Sequence, residues 1–142
     1  METGSVRRRV ALENDKAYRI LFYVGGGCNI VTATLVFLLI HRLPGMLGIE
    51  PPRYSVFIYL NLMTLVIFGC MQWTVARRLR EERSLVKLLI AAKFSMAIVF
   101  LYVQIADAPV KELSVFLAPM VIFDFLMGLL FWRFLVYSRS PG

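Results

Sequence analysis

Four apolar blocks punctuate this chain, and its polar residues gather between them. The blocks cover about 20–40, 54–76, 85–106 and 113–136. Each is long enough, as a helix of roughly 20 residues, to cross a hydrocarbon layer of about 30 Å. The connections over 77–84 and 107–112 are short, and short connections make consecutive helices antiparallel neighbours. The pattern predicts an all-α membrane protein, a four-transmembrane-helix antiparallel bundle spanning residues 20–136. A basic segment (1–19) precedes the bundle and a polar tail (137–142) follows it. No internal repeat is evident.

Details within the blocks sharpen this reading. The first contains Gly25-Gly26-Gly27-Cys28-Asn29. Three glycines would weaken a soluble helix by about 1 kcal/mol each, but inside a membrane they let a neighbouring backbone approach closely. Asn61, Leu65, Gly69, Gln72 and Ala76 recur at helical spacing in the second block, predicting a small-and-polar stripe that faces the other helices. Tyr54, Tyr59 and Trp73 stand near its ends, as interfacial aromatics do. Between the first two blocks, Pro44, Gly45, Gly48, Pro51 and Pro52 predict a turn-rich outer loop, with Met46, Leu47 and Ile49 dipping into the interface. Residues 1–19 hold acidic residues between the arginines and the apolar run, with no small-residue cleavage site after it. They read as an uncleaved segment that forms a short helix on the membrane surface.

Composition agrees: 59% of the 142 residues are hydrophobic, against roughly 45–50% in soluble domains. The net charge of +7 invites a nucleic-acid reading until the charges are placed. Segments 1–19, 77–87 and 133–139 hold 12 of the 16 Lys and Arg residues, and the opposite side holds Arg42, Arg53 and Lys111. Such asymmetry is topogenic, and it predicts that both termini are cytoplasmic. No nucleic-acid partner is expected. Arg77, Arg78, Arg80 and Arg83 form a cluster able to hold anionic lipid headgroups.

Two charges break the apolar pattern. Asp124 has no charged neighbour within eight residues on either side, and Lys93 is the other ionisable residue well inside a block. An intramembrane carboxylate costs about 2.5–3.5 kcal/mol on insertion scales and calls for a partner. Counted from the basic ends at the ~1.5 Å rise of a helix, Asn29, Gly69, Lys93 and Asp124 all lie roughly 12–15 Å deep. The candidate binding residues are therefore Asp124, Lys93, Asn29 and Gln72. Asp124 pairs with Lys93, Asn29 hydrogen-bonds the pair, and Gln72 bonds across helices. Two alternatives stay open: Lys93 snorkels without a partner, or Asp124 titrates or binds a ligand. Cys28 and Cys70 read as buried small residues and His41 as an interfacial one. Phe123, Phe125, Phe131, Trp132 and Phe134 read as a packing and lipid-facing surface.

Nucleophilic triads, phosphate-cradling loops and metal-ligand spacings are absent from the sequence, so no metal, cofactor or catalytic residue is assigned. Phe68-Gly69, Ala76-Arg77, Leu85-Val86, Ala92-Lys93, Phe123-Asp124-Phe125-Leu126 and Phe134-Leu135, with Cys28-Asn29 and Pro51-Pro52, together resemble small bacterial four-span membrane proteins, loosely DoxX-like. Where that group carries a Phe-Gly-x-Gly-Tyr form in its second span, this chain has Phe68-Gly69-Cys70-Met71-Gln72-Trp73. The resemblance implies the four-span fold and a bacterial cytoplasmic (inner) membrane, and carries no activity.

The expected function is that of a small integral membrane protein without a catalytic role. It would be an accessory or scaffold protein that binds a membrane partner protein or lipid, or a homo-oligomer assembled through the Gly25–Asn29 or Gly69–Gln72 faces. The alternative is a small proton-coupled transporter, or a membrane enzyme acting on a lipid or quinone-like substrate, using Asp124.

Overall fold

The computed structural model describes residues 2–42, 45, 56–106 and 111–138, with side chains over 12–42, 45, 56–102, 105 and 118–138. Among the described residues the elements are all α-helical, without strands: α1 (Glu2–Leu39), α2 (Val56–Arg77), α3 (Arg83–Ala106) and α4 (Lys111–Tyr137). Each helix contains a stretch long and apolar enough to cross a membrane: Leu12–Leu39, Val56–Arg77, Arg83–Tyr102 and Ala118–Tyr137. Within an apolar 18-residue window of each stretch, only 17–28% of the positions are buried inside the protein. The rest leave large apolar side chains uncovered, among them Phe57, Ile98, Tyr102 and Trp132. So much uncovered hydrocarbon on every helix fits a bilayer as the solvent.

Inside the spans, short polar side chains satisfy themselves locally. Thr34, Thr64 and Thr74 hydroxyls donate to the carbonyls of Ile30, Leu60 and Cys70 at 2.8–2.9 Å. Asn61 Nδ2 does the same to the Phe57 carbonyl at 3.0 Å. This back-bonding to the preceding turn removes the penalty of a bare polar group in lipid. It also explains why Asn61, expected to face inward, is exposed.

The N-terminal segment differs from expectation. Residues 2–19 continue into the first span as one helix of 38 residues, about 57 Å long at the usual rise. No proline interrupts them, and nothing in their sequence ends a helix. At the other end of the chain, Ser138 Oγ donates to the Leu135 carbonyl at 3.1 Å and its N–H to the Phe134 carbonyl at 2.8 Å, closing α4. Pro119 sits inside α4, where its missing N–H leaves one carbonyl of the previous turn without a helical partner. The expected outer loop with Met46, Leu47, Ile49 and Tyr54, the turn at 107–110 and the tail beyond 138 lie outside the described residues.

Contacts group the chain into two units, Leu12–Leu79 and a second made of Arg80–Gly142 with Met1–Ala11. In the first, α1 and α2 run antiparallel. Tyr23 meets Trp73, Gly26 meets Gly69, and Phe37 meets Tyr59 with ring centroids 6.0 Å apart. One helix ascends as the other descends. In the second, α3 packs on α4. The four residues joining them reach at most about 18 Å, half the ~36 Å length of α3, so α4 must turn back alongside it.

Candidate functional site

The α3–α4 hairpin is held by two matching stripes. Val86, Leu89, Ile90, Lys93 and Ala97 are buried on α3, and Met127, Phe131, Phe134 and Leu135 on α4. Their three-and-four spacing is that of one helix face. Lys93 is the only charged residue in either stripe. Its Nζ donates to Asp124 Oδ1 across the hairpin, with side-chain exposures of 5% for Lys93 and 19% for Asp124. The pair expected from sequence is thus formed. Lys93 spends its reach on the carboxylate and does not snorkel alone.

The surroundings fix both side chains. Gly128, one turn beyond Asp124, lies under the lysine stem. A Cβ there would stand 3.3 Å from Phe94 Cε1 and 3.4 Å from Lys93 Cβ. Beside it the Phe94 and Phe125 rings meet edge to face, centroids 5.5 Å apart at 63°, an arrangement that favours the rings' own electrostatics. We expect Gly128→Ala to shift stability by less than about 1 kcal/mol, since helix propensity gained offsets a slight crowding of the ring. Gly128→Leu should lose roughly 1–3 kcal/mol by displacing Phe94. Denaturant titration in micelles distinguishes the two.

The other candidates are placed differently from expectation. Asn29 and Gln72 are buried, with exposures of 6% and 0%. Yet Asn29 Nδ2 and both Gln72 amide atoms have no hydrogen-bond partner. The cross-helix bond expected of Gln72 is not made. Cys28 and Cys70, expected to be buried, are free and exposed, because they fall beside the packed stripe of their helices. His41 is exposed. Phe131 and Phe134 are buried while Phe123, Phe125 and Trp132 are exposed, splitting the aromatic run between packing and periphery.

Arg77 closes α2, Arg83 opens α3, and Arg78 and Arg80 lie on the turn between them, all four exposed. Arg78 N–H donates to the Thr74 carbonyl at 3.1 Å, and Arg80 is engaged in an interaction of its own. An apolar groove of about 510 Å³ runs between α1 and α2, walled by Ala33, Phe37, Leu62 and Met63. Among the described residues, no group of His, Cys, Asp and Glu is placed to hold a metal ion.

Sequence reasoning read the glycine run as permitting a close approach but did not place Gly26 against Gly69. A Cβ on Gly26 would lie 2.5 Å from Trp73 Cδ1 and 2.8 Å from the Gly69 carbonyl oxygen. One on Gly69 would lie 2.6 Å from Ile30 Cγ1 and 2.9 Å from the Gly26 carbonyl oxygen. Trp73 Nε1–H donates to the Tyr23 carbonyl at 3.1 Å, so the tryptophan read as an interfacial anchor is a clamp on α1. The signal was present as Gly26-x-x-Asn29-Ile30 in one helix and Gly69-x-x-Gln72-Trp73 in the other.

Fold and site together define an integral membrane protein of four helices, with one hairpin joined by a buried Lys–Asp pair and the other by a glycine crossing. The chain matches no protein-family model, no curated protein and no solved structure.

Proposed function

We propose that this is a non-catalytic accessory or scaffold protein of a bacterial cytoplasmic membrane, with both termini on the basic, cytoplasmic side. Its role is to bind a membrane partner protein, with Arg77, Arg78 and Arg83 meeting anionic lipid headgroups at that surface. One observation carries the reading: Lys93 and Asp124 close on each other. A carboxylate that serves as a proton or ligand site must alternate between partners. Among the described side chains of the hairpin, Asp124 is the only carboxylate this lysine can meet. A pair of this kind fixes the register of two helices, a use well attested for buried polar groups. The uncovered apolar faces then supply the surface on which a partner helix lies.

The test is extraction from native membranes directly into lipid nanodiscs, followed by mass spectrometry of what accompanies the protein. A membrane protein in fixed stoichiometry, retained at high salt, is the expected result. A parallel measurement of proton flux in proteoliposomes addresses the transporter alternative. Flux abolished by Asp124→Asn, in a variant still folded, would replace the accessory role with transport.

A further inference from the structure

The two glycine helices repeat a five-residue pattern, glycine, two variable positions, an amide and a large side chain. The structure gives the repeat a geometric meaning. Ile30, four residues past Gly26, receives Gly69, and Trp73, four residues past Gly69, receives Gly26. The contacts are reciprocal, so the antiparallel pair has an approximate two-fold axis through the crossing. That axis relates Asn29 to Gln72, each three residues beyond its own glycine. Their Cα atoms therefore stand on the same side of the pair, roughly 9 Å apart along the helices. Because a side chain leans toward the N-terminus of its helix, the two amides lean toward each other from opposite ends.

They do not meet. Gln72 Nε2, Gln72 Oε1 and Asn29 Nδ2 are buried with no partner. Elsewhere in α1 and α2, Thr34, Asn61, Thr64 and Thr74 relieve themselves on the preceding turn. These two amides do not, although leaving a buried polar atom bare costs about 1–3 kcal/mol.

We propose that the α1–α2 crossing is a binding site for a single hydroxyl-type oxygen held between Asn29 and Gln72. The atoms present define its chemistry. Two N–H donors call for an oxygen that accepts twice, and the Gln72 carbonyl calls for the same group to donate once. Water and an alcohol hydroxyl do both, and a buried water typically makes about three such bonds. A carbonyl or carboxylate oxygen cannot donate to Oε1, and an ammonium group cannot accept from either nitrogen. This proposal is independent of the accessory reading.

Two measurements test it. Solid-state NMR on protein with labelled Asn and Gln side chains, in nanodiscs of phosphatidylcholine alone, offers no lipid hydroxyl. Magnetisation transfer from water into the Asn29 and Gln72 amide protons identifies the guest as water. Transfer that appears only when phosphatidylglycerol is added, and from its glycerol hydroxyls, identifies a lipid alcohol. No transfer under either condition overturns the proposal. The second measurement is a melting cycle on Asn29→Leu, Gln72→Leu and the double variant. With a shared guest, each single change lowers Tm by roughly 3–6 °C, and the double lowers it by less than the two together. Single changes that raise Tm would mean bare amides had been removed, and strictly additive losses would mean plain packing; either result refutes a shared guest.

Discussion

Asp124→Ala is expected to lower the stability of the folded protein by about 3–5 kcal/mol, because it leaves a buried ammonium without its counter-charge. Lys93 would be stranded in a stripe of Val86, Leu89, Ile90 and Ala97, among side chains that offer it nothing. Asp124→Asn should lose noticeably less, since an amide oxygen still accepts from Nζ. The informative variant is the double one, Lys93→Met with Asp124→Leu. Replacing both charges by apolar groups of similar volume removes the desolvation penalty along with the attraction, and is often neutral or stabilising. Unfolding by sodium dodecyl sulfate from a mild micelle, followed by circular dichroism, ranks the three. Should the double variant fall as far as Asp124→Ala, the pair is more than a pair, and a further group depends on one of its members.

Gly26→Ala and Gly69→Ala should each destabilise the α1–α2 hairpin, while Gly27→Ala should not. The added methyl at Gly26 lands on an indole and a backbone oxygen, and the one at Gly69 on Ile30 and a backbone oxygen. Neither oxygen can move without its helix. The steric loss, about 1–3 kcal/mol or more, exceeds the 0.5–1 kcal/mol or so that alanine gains over glycine in a helix. At Gly27 a Cβ would meet nothing within 4 Å, so there the propensity gain stands alone. The same micelle titration reads all three, and quenching of Trp73 fluorescence by a lipid-soluble quencher should rise for the two damaging variants.

The number and extent of the helices were legible because hydrocarbon length is a coarse and forgiving constraint. Spans expected at 54–76 and 85–106 end within about two residues of α2 and α3. The Lys93–Asp124 pair was legible for a different reason: two opposite charges in otherwise apolar helices have few places to go. The glycine crossing was not, because Gly25, Gly26 and Gly27 look alike along the chain. Only the register of α2 decides which of them touches Trp73. Asn29 and Gln72 were read as facing inward, and both are buried, but the cross-helix bond given to Gln72 is not made. Burial follows from helix face, whereas a hydrogen bond depends on which way a short amide tilts from that face. The start of α1 was misread because a charged surface segment and the first turns of a long helix share the same residues.

Lys93 and Asp124 have one more consequence, and it concerns voltage. A lone charge carried across a membrane potential does work of about 2.3 kcal/mol per 100 mV. Here an ammonium and a carboxylate are paired, and their charges sum to zero. A membrane potential would therefore exert no net pull on the joined couple.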